Sequence, residues 1–74
     1  MDLLVTRHGR RYGFEFKHAD APALSKSMHV AIEDLGLHKL WVVYPGERSY
    51  SLHDRVDAVP LADLVAHLSA AKLA

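Results

Sequence analysis

Cysteine is absent from the 74 residues, which excludes disulfide staples and thiolate zinc sites and fits a reducing compartment. No apolar stretch approaches the roughly 20 residues that a membrane span requires. The opening MDLLVTRHG has neither the basic segment nor the apolar core of a secretory signal. Neither sign of charge prevails: nine Lys/Arg balance nine Asp/Glu, so no overall field holds a polyanion or an anionic membrane, and any such site has to be local. There is no Gly-x4-Gly-Lys-Ser/Thr run, and HGRRYG lacks both the glycine spacing and the lysine of that motif. No Ser-His-Asp arrangement is readable, and nothing supports a nicotinamide, flavin or haem site. Repeats, low-complexity stretches and linkers are also missing. These absences leave a single cytoplasmic domain as the expectation, without a membrane partner.

What is present is a core. Half of the residues are hydrophobic, although near this length one core supplies only a few kcal/mol of net stability and every large apolar side chain is needed. DLLVTR (2–7) and RYGFEFK (11–17) are β-rich runs on either side of HGR, where Gly9 can supply the positive φ of a tight turn. They predict a β-hairpin. ADAP (19–22) breaks the pattern, with Asp20 placed to cap a helix and Pro22 tolerated in its first turn. Leu24, Met28, Ala31, Ile32 and Leu35 then form one apolar stripe that Gly36 ends. HKLWVVYPG (38–46) is apolar on both faces from Leu40 to Tyr44, as a central strand between two layers must be, and Pro45 and Gly46 stop it. A short edge strand near 49–52, a turn at His53 to Arg55 and an extended piece at 56–59 follow. Leu61, Leu64, Val65 and Leu68 share one face of a closing helix beginning near Pro60, with Lys72 at the negative end of its dipole. The predicted order is β-β-α-β-(β)-α: one small α/β sandwich over residues 1–74, with a mixed sheet.

Side chains alternate along a strand, so Tyr12, Phe14 and Phe16 face one way while Gly13, Glu15 and Lys17 face the other. A hairpin pairing Arg7 with Tyr12, or His8 with Arg11, sets Asp2 opposite Lys17 and Leu4 opposite Glu15. Asp2, Glu15 and Lys17 then gather on one face, and Leu3, Val5, Tyr12, Phe14 and Phe16 fill the other. Two readings fit this cluster. A solvated strand face with a cross-strand Asp2–Lys17 pair is the ordinary one. In the other, two carboxylates on adjacent strands hold Mg²⁺ or Mn²⁺, with Phe16 between them in the ligand set. These hard cations prefer oxygen ligands, and the adjacent lysine orients or activates a metal-bound water.

MDLLVTRHGRRYGFEFK resembles the Asp and Glu-x-Lys hairpin of the PD-(D/E)XK superfamily, whose fold is restriction-endonuclease-like. The start of the predicted helix, ALSKSM, the strand and turn WVVYPGERSY and the terminus VDAVPLADLV are similar to the nuclease-like C-terminal domain found behind AAA-type ATPase modules in many prokaryotic proteins, a domain of unknown function. The resemblance places Asp2 at the metal-binding aspartate, Glu15 at the second carboxylate and Lys17 at the catalytic lysine of the motif. It also implies that a helix and a first strand normally precede the Asp2 strand, so that this chain is expected to be a truncated member with residues 2–7 as an exposed sheet edge. Two functions follow. One is a nuclease-like interaction or regulatory module, a standalone remnant of an ATPase-linked protein, meeting a second copy or another protein through that edge. The other is a Mg²⁺-dependent nuclease using Asp2, Glu15 and Lys17.

Other candidates carry less. Arg7, Arg10 and Arg11 with His8 make a basic hairpin tip that can meet phosphates of a nucleic acid or simply be solvated. Lys26, between Ser25 and Ser27, is a candidate phosphate contact over the Glu15 face or a plain surface lysine. The six histidines show no i, i+4 pair and no zinc-finger spacing, and Trp41 in LWVVY is a core residue before it is a stacking platform.

Overall fold

The computed structural model describes residues 1–18 and 21–73. His8 and Gly9 both have positive φ, 53° and 74°, the two-residue turn whose twist suits a hairpin. That turn joins strand β1 (Leu3–Arg7) to β2 (Arg10–Phe16) and pairs Arg7 with Arg10, Val5 with Tyr12 and Leu3 with Phe14. The register therefore differs by two residues from the expected one, in which Arg7 met Tyr12. A shift of two preserves the face of every ladder side chain, so Leu3, Val5, Tyr12 and Phe14 still share one side.

Helix α1 (Lys26–Leu35) starts at Ser25, whose Oγ accepts the Met28 N–H at 3.2 Å, and ends at Gly36. Ser25 is thus the N-cap; the expected cap, Asp20, lies outside the described residues, and Pro22 and Leu24 precede the helix. Strand β3 (Leu37–Tyr44) follows at once and runs parallel to β2. Strands β4 (Tyr50–His53) and β5 (Val56–Pro60) form a second hairpin, but β5 inserts between β3 and β4, parallel to β3. The result is a five-stranded mixed sheet in the order β1-β2-β3-β5-β4, with β3 in the middle as its two apolar faces require.

The sheet carries a helix on each side. α1 buries Met28 and Ile32 against Leu37, Leu40, Val42 and Val56. On the opposite face Tyr12, Phe14, Trp41, Val43 and Val59 form a second cluster under Leu64 and Leu68 of α2 (Leu64–Ala70), which a 3-10 turn at Leu61–Asp63 introduces. Trp41, 3% exposed, is stacked with Tyr12 and Phe14 at centroid distances of 5.8 and 5.2 Å, so it is core. The last helix departs from expectation in one respect: Leu61 and Val65 lie outward, 64% and 69% exposed, and of the four expected residues Leu64 and Leu68 pack against the sheet. Phe16 and Leu3 are likewise about half exposed, at 47% and 50%. No helix among the described residues is long and apolar enough to cross a membrane.

Candidate functional site

Glu15 faces α1, beside Val42 in the β2–β3 ladder, and is 8% exposed. A carboxylate cannot remain so buried without compensating charge. Two ammonium groups supply it: Lys17 Nζ lies 3.4 Å from Oε2 and the Met1 α-ammonium 3.6 Å from Oε1. The contact with Lys17 lacks hydrogen-bond geometry, and among the described residues Oε2 is a buried acceptor without a hydrogen-bond donor. Glu15 and Lys17 are thus neighbours on one strand face, at the carboxyl end of β2, where open α/β sheets hold their ligands.

Asp2 reaches the same strand differently. Its backbone N–H donates to the Phe14 carbonyl at 3.0 Å, one residue out of step with the β1–β2 ladder, and its Oδ2 accepts the Phe16 N–H at 2.7 Å. The expected Asp2–Lys17 cross-strand pair is replaced by this contact with the Phe16 backbone. The chain bends at Asp2 and carries Met1 across Gly13: a Cβ on Gly13 would stand 2.5 Å from Met1 Sδ. A glycine at this position lets the Met1 side chain and the leucines of β3 close over β2.

Asp2 and Glu15 offer the oxygen donors that a hard cation takes, and the orphan Oε2 gives one of them a vacant lone pair. Among the described residues no group of three or more His, Asp or Glu gathers. At the same sheet end, Phe16, Lys17, His18, Val43, Pro45 and Leu61 line a hollow of about 150 Å³.

The basic residues separate. Arg7 is exposed at the hairpin end. Arg11 Nη1 donates to the Leu35 carbonyl at 3.1 Å, closing the last turn of α1 where the dipole is negative. Arg10 Nη1 lies 3.5 Å from His38 Nε2, over the other sheet face. Lys26 is exposed at the start of α1 and makes no ion pair with Glu15 among the described residues.

Sequence reasoning missed a second polar group at the opposite end of the sheet. Lys39 Nζ and Asp57 Oδ2, on the adjacent strands β3 and β5, meet at 2.8 Å. With Arg10, His38, His67 and Lys72 they rim a cleft of about 440 Å³ whose wall is Tyr12 and Trp41. Partial desolvation lowers the His38 pKa from its ordinary value, and the charges of Arg10, Arg55 and Lys39 lower it further. The available signal was Lys39 itself, a charge at the mouth of an otherwise apolar central strand.

A family model described as "Domain of unknown function (DUF4143)" matches residues 1–64. The chain is also 50% identical over 60 residues to an uncharacterized protein of Mycobacterium bovis and, to the same extent, to an uncharacterized protein of Mycobacterium tuberculosis. Each match covers 81% of this chain and 14% of the relative, so the chain spans about a seventh of the length of the curated relatives it matches. No solved structure matches.

Proposed function

The chain belongs to the DUF4143 family, a domain of unknown function, and we propose that it is a nuclease-like interaction module: a restriction-endonuclease-like core kept as a remnant of an ATPase-linked protein, without robust cleavage of phosphodiesters. The observation that carries this reading is the internal use of the motif residues. The Glu15 carboxylate is paired with Lys17, and Asp2 is committed to the Phe16 amide. A metal entering here displaces the Lys17 ammonium and a backbone hydrogen bond. Lys17, paired with Glu15, is held back from orienting a water.

The surface this reading uses is the edge of β1, one of the two outer strands of the sheet, β4 being the other. Among the described residues no strand lies beyond β1, and Leu3, Leu4 and the neighbouring Phe16 are about half exposed. The partner that fits is a second copy of the chain. Antiparallel pairing of two β1 edges about a two-fold axis sets the Asp2 end of one strand beside the Arg7 end of the other, and it extends two small sheets into one. Sedimentation equilibrium from tens to hundreds of micromolar tests this. A concentration-dependent rise above 8.3 kDa is expected, abolished by Leu4→Pro, which removes an N–H that alternation of the ladder turns away from β2. A single 8.3 kDa species throughout refutes the dimer.

The second reading, a Mg²⁺-dependent nuclease, is favoured by one observation: among the described residues the buried Oε2 of Glu15, 3.4 Å from Lys17 Nζ, accepts no hydrogen bond. Asp2, Glu15 and the Phe16 backbone would hold the ion, which when bound supplies an activated water and offsets phosphoryl charge. Lys17, released from Glu15, would position the nucleophile. Titration with Mn²⁺ followed by amide shifts separates the readings. Millimolar or weaker binding, about 4 kcal/mol or less, with no cleavage of DNA or RNA supports the interaction module. Cleavage that disappears in Lys17→Ala establishes the nuclease.

A further inference from the structure

The cleft at the amino ends of the parallel strands lies away from the Glu15 pair. Arg10 begins β2 and Glu15 is five residues on, about 16 Å along an extended strand. Its rim carries Arg10, Lys39 and Lys72 against a single carboxylate, Asp57. Asp57 is engaged by Lys39 at 2.8 Å, so neither Arg10 nor Lys72 has a carboxylate within ion-pair distance among the described residues. Arg10 Nη1 lies 3.5 Å from His38 Nε2, at the outer limit of a hydrogen bond. His67 Nε2 lies 3.0 Å from Ser49 Oγ. The chain as a whole is neutral, so this is a local excess of positive charge set in a concavity rather than a general property of the surface.

We propose that this cleft binds the phosphate group of a small phosphorylated molecule. Arg10 offers a planar fork of donors that matches two phosphate oxygens, and Lys72 offers a compact charge from the end of α2. Their convergence from two different elements distinguishes the place from a lone surface lysine. The cleft volume of about 440 Å³ falls within the range of small-ligand pockets. Tyr12 and Trp41, 5% and 3% exposed, close the floor of the cleft. His38 adds a response: a bound phosphate counters the charges of Arg10, Arg55 and Lys39, and its ring takes a proton more readily.

The test uses the intact chain, with inorganic phosphate and glycerol 3-phosphate as probes and chloride at equal ionic strength as control. Amide and histidine-ring shifts are followed by NMR. The expected result is saturable movement at Arg10, Lys39 and Lys72 with both phosphates, with the His38 pKa moving up in their presence. Arg10→Ala and Lys72→Ala should each weaken binding roughly five- to tenfold, the loss of one charged contact. Asp57→Asn, which frees Lys39, should tighten it, a gain that an unfolded variant cannot give. Shifts that chloride reproduces, an unchanged affinity in Arg10→Ala, or weaker binding in a folded Asp57→Asn variant would overturn the proposal. Tighter binding of a single-stranded oligonucleotide with shifts centred on Arg7 would also overturn it, in favour of a polymer surface on the hairpin tip.

Discussion

Gly13→Ala is the substitution that probes the packing beneath the Glu15 site. The added Cβ would stand 2.5 Å from Met1 Sδ, 2.9 Å from Leu37 Cδ1 and 3.0 Å from Leu40 Cδ1. Met1 is the flexible neighbour and swings away, carrying its ammonium from Glu15. Leu37 and Leu40 are fully buried under α1 and have nowhere to retreat. Overpacking of this kind costs about 1–3 kcal/mol, and removing a glycine from the unfolded chain returns about 0.4–1 kcal/mol. At the midpoints of these ranges the net destabilisation is about 1.3 kcal/mol, and at roughly 4–8 °C per kcal/mol for a domain of this size the Tm falls by roughly 5–10 °C. Thermal unfolding followed by circular dichroism measures it. If the cost is steric, Leu40→Val in the Gly13→Ala background restores part of the loss, so the double variant is more stable than the sum of the single effects by about 1 kcal/mol. An unchanged or raised Tm, or strictly additive effects, would refute the close approach of Met1 and the two leucines to β2.

Ser25→Ala removes the side chain that caps α1 at the Met28 N–H and should lower stability by about 1 kcal/mol in chemical denaturation. Tyr50, whose hydroxyl donates to the Pro22 carbonyl, has its pKa raised from 10.0 by burial and by Tyr44. Its contribution is intact below pH 10 and is lost as pH rises through the folded value; tyrosinate absorbance should show one late-titrating tyrosine that Tyr50→Phe removes. The lowered His38 pKa acts in the other direction: stability falls as pH drops below 6.5 and levels off once pH is under the folded value, and His38→Gln should flatten that slope in pH-dependent denaturation.

The hairpin, both helices and the strands near residues 50 and 56 were legible because their apolar residues recur at periods of 2 and 3.6 between turn signals. The faces of β2 were legible for the same reason, and they survived an error of two residues in register because parity alone decides them. What could not be read was geometry that depends on contacts distant in sequence. Ser25 rather than an earlier residue caps α1, and Leu61 and Val65 lie outward, since local spacing does not encode which arc of a helix meets the sheet. At the candidate site, the pairing of Glu15 with Lys17 follows from strand alternation. The approach of Met1 does not, because it depends on a bend at Asp2 that breaks the ladder. The Lys39–Asp57 cleft was out of reach without knowing that β5 lies beside β3.

The insertion of β5 between β3 and β4 also governs the order in which this chain can fold during synthesis. β3 gains its second neighbour only from residues 56–60, which follow it in sequence by a dozen residues or more. While the first hairpin, α1 and β3 emerge from the ribosome, the strand with the most apolar sequence in the protein has one open side, and Leu40, Val42 and Val43 await Val56, Ala58 and Val59. Such an interval is one in which nascent chains associate with one another or require a chaperone. A chain halted before Val56 retains that open side permanently, so premature termination should yield aggregates rather than a smaller folded protein.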